Sequence, residues 1–128
     1  MVYIDPQTKL EVGDPNVPAF ADGIPSLEDL RHAVDEGNSK RMKISISGWR
    51  KTFARDGNLE STTPEISSAD KMLAGLAAQT FAQFVQDKTG KERPTLLVAR
   101  DTRPTGATLG DIMVRALLSV PVNVRYAF

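Results

Sequence analysis

The alternation of apolar and polar residues predicts a short helix followed by a strand in the first half of the chain. Ser26 and Asp29 form the pattern of a capping box at the start of that helix. Gly37 and Asn38 are suited to ending it. Residues 42–47 then alternate with a period of two, which is typical of a strand with one buried face. Residues 48–64 are predicted to form a loop.

A long helix is predicted from Ser67 to about residue 88, because Ser67 and Asp70 repeat the capping pattern and Gly90 follows. Its inward stripe is predicted from residues at spacings of three and four, namely Leu73, Leu76, Ala77, Thr80, Phe81 and Phe84. This helix is therefore expected to bury leucine and phenylalanine side chains.

The last third of the chain reads as strand, helix and strand. Residues 95–99 are apolar on both faces, a helix is predicted from Thr105 or Thr108, and residues 122–128 alternate again. Together with the strand at 42–47, this order predicts an α/β fold with a β-α-β-α-β parallel sheet flanked by helices. Residues 1–41 are expected to form an otherwise irregular N-terminal extension with one short helix, and residues 42–128 the main domain.

Composition excludes several classes of function. The chain has 128 residues, no Cys and one His, His32, so disulfides, thiolate catalysis and a Ser-His-Asp triad are not expected. No apolar run has the length of a membrane span, and the N-terminus lacks a signal pattern. We therefore predict no membrane association and a cytoplasmic location.

The net charge of zero hides a separation of acids and bases. Residues 1–36 carry eight acids and two bases, whereas residues 40–55 carry six bases and no acid. A basic segment of this kind can concentrate anionic ligands; alternatively, the acidic segment lies across it. Nucleic acid is not expected as a partner, since the basic segment offers only Trp49 and Phe53 for stacking.

Two charged motifs follow the first two predicted strands. Residues 100–106 read Arg-Asp-Thr-Arg-Pro-Thr-Gly, and open α/β sheets bind ligands at such strand ends. Arginine binds phosphate bidentately, and a helix N-terminus offers free amides. Either Asp101 orients one arginine and leaves the other for ligand, or all three charges form a structural network.

The second motif, residues 47–51, reads Ser-Gly-Trp-Arg-Lys. Gly48 allows a sharp turn after the strand, Ser47 can donate to an anion, and Arg50 and Lys51 supply positive charge. The alternative is an exposed basic loop in which Trp49 serves for packing. Neither motif is a nucleotide-binding fingerprint.

In this order and at this separation, the two motifs are similar to those of the first domain of the α-D-phosphohexomutases (phosphoglucomutase and phosphomannomutase). That family has Gly-Thr-Ser-Gly-x-Arg followed by Gly or Lys, where residues 45–51 read Ser-Ile-Ser-Gly-Trp-Arg-Lys. A Thr-Pro-Glu step into a long helix stands at 63–65, and Arg-Asp-x-Arg before a Thr-Gly helix start stands at 100–106. The resemblance covers roughly residues 42–128; Ser45, Ile46 and Ala99 depart from the family's Gly, Thr and Gly.

The resemblance implies that the parent enzyme interconverts hexose 1-phosphate and hexose 6-phosphate through a phosphoserine and a bisphosphate intermediate, with Mg²⁺ in a later domain. Active-site lining is implied for Ser47, Gly48, Arg50 and Lys51, and a supporting role for Arg100, Asp101 and Arg103. The phosphoserine is expected beyond Phe128. This chain, the incomplete first domain, is thus expected to hold no catalytic residue and no metal, and to be inactive alone.

A second hypothesis is a free-standing, non-catalytic module that binds a phosphorylated ligand or a protein partner. Under the first hypothesis, a sheet that stops after three strands exposes an apolar edge and face, so self-association is expected. Glucose or mannose preference is not encoded in these motifs.

Overall fold

The computed structural model describes residues 3–6, 8–14, 16–20, 23–35 and 42–127. The predicted helix stop at 37–38, the basic residues 40 and 41, and Phe128 lie outside the described residues. The elements are, in chain order, β1 (Tyr3–Ile4), β2 (Glu11–Val12), α1 (Leu27–Val34), β3 (Lys43–Ser45), β4 (Gly48–Arg50), α2 (Ser68–Thr89), β5 (Thr95–Ala99), α3 (Gly106–Leu118) and β6 (Asn123–Ala127).

The core lies between the helix pair α2 and α3 and one face of the parallel strands β5 and β6. These strands pair in register, with Leu96 opposite Val124, and α3 connects them. Leu96 and Val124 are buried against the helices, whereas Leu97 on the opposite face is 66% exposed. The fold is therefore mixed α/β, as predicted, with one sheet face uncovered among the described residues.

The predicted three-stranded parallel sheet is not found among the described residues. The strand at 42–47 is instead β3, which forms an antiparallel hairpin with β4 through a turn at residues 46 and 47. Ser45 Oγ donates to Gly48 O at 3.0 Å, and Gly48 has a φ of +146° that favours glycine. Ile44 is 72% exposed, so the predicted buried face of this strand was wrong. The tight turn pairs this strand with the residues that directly follow it, and not with the parallel strands β5 and β6. The loop that was predicted from residue 48 therefore begins with a strand, β4.

The long helix α2 forms where predicted, but it buries a different face. The buried residues are Ala74, Ala78 and Ala82, while Phe81 and Phe84 are each 54% exposed. A Cβ built on Gly75 would lie 3.7 Å from Ala116 Cβ, so α2 and α3 approach closely through small residues. The bulkier side chains predicted to be buried do not fit so close a contact. No helix in the described part of the chain is long and apolar enough to cross a membrane.

The predicted caps at the starts of α1 and α2 are confirmed, as is the predicted end of α2 at Gly90. In α1, Ser26 Oγ accepts from the Asp29 amide at 3.1 Å, and the Asp29 carboxylate accepts from the Ser26 amide at 3.0 Å. The Ser26 hydroxyl also donates to the Asp29 carboxylate at 2.6 Å, and this bond, followed by the one from the Ser26 amide, lowers the pKa of the Asp29 carboxyl. In α2, Ser67 caps the first turn and Gly90, in the left-handed conformation, ends the helix. Caps depend on residues three or four positions apart, which is why the sequence predicts them well.

The N-terminal segment contains a small hairpin, where irregular structure was expected. Strands β1 and β2 pair antiparallel, and Val12 is buried in the main core. The Gly13 amide donates to Asp111 Oδ1 in α3 at 2.8 Å. The hairpin is therefore attached to α3, whereas the division of the chain at residue 41 stays a prediction.

Candidate functional site

The two charged motifs lie on one cleft of about 1040 Å³. One wall comes from residues 43, 49–54 and 57–61, and the other from the end of β5, the following turn and the first half of α3. Five of the predicted site residues line it: Arg50, Lys51, Arg100, Asp101 and Arg103. Segments some fifty residues apart in the sequence thus form one concave, predominantly basic surface.

Two cations stand side by side on the β-hairpin wall of the cleft. Lys43 and Arg50 are direct register partners in the antiparallel pair β3–β4, and both are exposed. Neither forms an ion pair with any carboxylate in the described ranges. Like charges directly opposite one another destabilise a hairpin. An anion bound between them would remove that repulsion.

The N-terminus of α3 forms the opposite wall. Thr105 is the N-cap residue, but its side chain makes no capping hydrogen bond, and the first turn holds no acidic residue. The amides of this turn and the helix dipole therefore favour an anionic partner. A Cβ on Gly106 would lie 3.1 Å from Asp101 O and 3.8 Å from Arg100 Cβ, so the two-arginine turn is packed against the helix start.

The two arginines of that turn have different environments. Arg103 Nε lies 3.0 Å from Asp101 Oδ2, with both side chains largely exposed. Such a pair contributes only about 0.2–1 kcal/mol, so Arg103 can exchange Asp101 for a ligand at small cost. Arg100 is 5% exposed at its side chain and forms an ion pair with the buried Asp5 of the N-terminal segment. Both arginines therefore have a carboxylate partner, which fits the alternative of a structural network, and the exposed Arg103 pair is the weaker of the two.

Lys51, at the base of the cleft, is held by a buried ion pair. Its Nζ lies 3.3 Å from Asp70 Oδ1 in the first turn of α2, and the two side chains are 3% and 13% exposed. Burial raises the pKa of Asp70, while Lys51 and the hydrogen bond with Ser67 oppose that shift. This contact fixes the end of β4 against α2. It places Lys51 in a structural role beside Arg50.

Ser47 lies in the hairpin turn and Gly48 begins β4, and neither lines the cleft. Ser47 Oγ is instead 3.1 Å from Ser45 Oγ. Trp49 lines the cleft and is 46% exposed, so its indole is accessible to a bound ligand. Sequence reasoning singled out neither Lys43 nor Asp5 as a site residue. Lys43 could have been found from the two-residue turn that pairs it with Arg50.

A second cavity of about 570 Å³ lies between α1, the segment 51–55 and the start of α2. Asp29 and His32 from the acidic helix face Lys51 and Arg55 across it, and Arg55 pairs with Glu65 at 3.7 Å. Within the described residues, no group of three or more His, Cys, Asp or Glu side chains is placed to hold a metal ion.

Comparisons of this chain with protein-family models, curated proteins and solved structures found no match.

Proposed function

We propose that the cleft binds the phosphate group of a small phosphorylated ligand. The observation that supports this most directly is the pairing of Lys43 with Arg50. Two exposed cations held opposite one another face a helix N-terminus without a side-chain cap across the same cleft. Without a ligand, the two cations repel each other and the first amides of α3 have no side-chain cap. A bound phosphate would neutralise the cations and accept hydrogen bonds from the amides.

The resemblance to the phosphohexomutases supplies a finer proposal, in which the ligand is a hexose phosphate and the chain is the first-domain part of the enzyme. Arg50 would then contact a phosphate oxygen and Lys51 would hold the β4 wall in place. Asp101 and Arg103 would form the opposite rim. Phosphoryl transfer depends mainly on positioning and charge neutralisation, which these side chains provide.

The Mg²⁺ that the resemblance implies has no fitting donor set among the described residues. What this chain contributes is an electropositive surface that binds and orients a phosphate group, and hexose phosphate turnover by the chain alone is not expected.

Trp49 fluorescence offers a direct test, since the indole lies in the cleft. The chain would be titrated with hexose 1-phosphates, hexose 6-phosphates and inorganic phosphate at two salt concentrations. We expect saturable binding that weakens with salt, because the contacts are ionic. Equal affinity for inorganic phosphate and the sugar phosphates would favour the non-catalytic phosphate-binding module over the mutase.

Arg50→Ala and Arg125→Ala form a matched pair of variants for this titration. Both remove one exposed arginine, but Arg125 lies on the outer side of β6, away from the cleft. Loss of a charge-assisted hydrogen bond of about 1.5–3 kcal/mol predicts that Arg50→Ala weakens binding by roughly tenfold or more. Equal weakening by both variants, or no saturable signal for the unmodified chain, would contradict the proposal.

A further inference from the structure

The buried pair of Asp5 and Arg100 connects the N-terminal hairpin to the wall of the cleft. Arg100 lines the cleft, yet its terminal nitrogen points to the Asp5 carboxylate, which is 1% exposed. Thr8 holds the other carboxylate oxygen through its amide at 2.9 Å and its hydroxyl at 2.6 Å. Arg100 Nε is also buried and has no hydrogen-bond partner, so Asp5 satisfies only part of the guanidinium.

The hairpin that carries Asp5 is small. Its strands β1 and β2 have two residues each, and a lone two-stranded hairpin is marginally stable at best. Besides the ion pair, the contacts that fix it include burial of Val12 and the hydrogen bond from Gly13 to Asp111. Units with so few contacts are those that open locally while the rest of a protein stays folded.

We propose that Asp5 competes with the phosphate of the ligand for Arg100. Arg100 would exchange one anionic partner for the other. This inference rests on the proposed function of the cleft. In the closed state, the Asp5 carboxylate neutralises Arg100 and holds the hairpin on α3. When a phosphate binds at the α3 N-terminus, it supplies the negative charge that Arg100 requires, and the hold on the hairpin weakens.

Burial makes this exchange necessary. Arg100 is too buried to be left without an anion, because an uncompensated buried charge is strongly unfavourable. Removing the Asp5 carboxylate should therefore increase the affinity of the cleft for an external anion. By thermodynamic reciprocity, a ligand that weakens the hairpin contact must bind more tightly when that contact is already absent.

The test uses inorganic phosphate as the probe and Trp49 fluorescence as the readout. Asp5→Asn keeps the shape of the side chain and removes its charge, and we expect it to tighten phosphate binding on the order of tenfold. Glu11→Gln is the matched control, because it removes one acid from the same hairpin at an exposed position. We expect less than a twofold effect for the control, since an exposed charge is screened by solvent and salt.

Two further measurements do not depend on the folding of Asp5→Asn. Thr8→Val removes one hydrogen bond to the Asp5 carboxylate and should tighten phosphate binding by a smaller factor. In the unmodified chain, phosphate should increase hydrogen exchange at the amides of Asp5 and Lys9, which bond to carbonyls within the hairpin.

The outcomes separate this inference from the proposed function. If the unmodified chain binds phosphate but Asp5→Asn binds it equally or more weakly, the competitor role is wrong and the cleft assignment stands. Unchanged or slower exchange at Asp5 and Lys9 with phosphate bound would also overturn the competitor role. If neither protein binds phosphate, both proposals fall.

Discussion

Replacing Gly110 with alanine tests how α3 sits on β6. A Cβ at this position would overlap Tyr126 Oη and lie 3.1 Å from Cε2 and Cζ of the same ring. Alanine improves helix propensity over glycine by about 1 kcal/mol. Overpacking costs about 1–3 kcal/mol, and more where a whole ring edge must move. The overpacking cost less the propensity gain predicts that the free energy of unfolding, measured by urea denaturation, falls by up to about 2 kcal/mol.

Gly75→Ala is the control for this substitution. It adds the same methyl group to a helix, but its Cβ would lie 3.7 Å from Ala116 Cβ and Ile112 Cγ2, which is ordinary contact. We expect it to stabilise the protein by about 0.5–1 kcal/mol. Adding Tyr126→Phe to Gly110→Ala removes the nearest atom and should recover part of the loss. A Gly110→Ala protein as stable as Gly75→Ala would refute the packing of α3 on β6.

Three further predictions follow from other contacts. Lys51→Met leaves the buried Asp70 without its partner and should cost about 3 kcal/mol of unfolding free energy at neutral pH. The pKa of Asp70 is raised above its ordinary value of 3.8 in the folded state, so folding favours the protonated carboxyl. The stability that this preference contributes is complete below pH 3.8 and is lost as the pH rises through the raised pKa. The cost of Lys51→Met should therefore shrink as the pH falls and Asp70 becomes protonated, and denaturation at several pH values would show no such trend if the pair were unimportant. Phe81 and Phe84 stack on the exposed face of α2 with centroids 6.4 Å apart, and replacing both with Gln should reduce self-association in light scattering; unchanged scattering would exclude this face. A coupled assay should detect no conversion of hexose 1-phosphate to hexose 6-phosphate by the chain, and turnover would contradict the expected absence of a catalytic residue.

Local patterns predicted the three helices and the strands β3, β5 and β6 but not β1, β2 or β4, and long-range packing decided which faces the helices bury. The caps at Ser26 and Ser67 involve residues three positions apart, so the sequence contains all the information they need. The face of α2 depends on how closely α3 approaches, and periodicity alone does not reveal that distance. Apolar residues occur on more than one side of α2, and the close approach selected the alanine stripe over the phenylalanines.

The candidate site was predicted in its outline and not in its partners. The resemblance implied that the two motifs serve one site, and Arg50, Arg100 and Arg103 do line one cleft. The element that positions Arg50 differs from the prediction, because Arg50 reaches the cleft from an antiparallel hairpin and not from a strand of a parallel sheet. Motif composition thus indicated which charged residues share a surface, while the geometry of that surface required the tertiary structure.

The pairing of Arg100 with Asp5 shows why a motif does not determine the role of its residues. Ninety-five positions separate the two residues, and no local pattern links them. The same arginine in an exposed turn would be available to a ligand at once. Here it has a buried carboxylate partner, so its availability depends on the stability of a hairpin at the other end of the chain. The sign of the Asp5→Asn effect on phosphate affinity therefore decides whether that hairpin restrains the cleft or merely supports its wall.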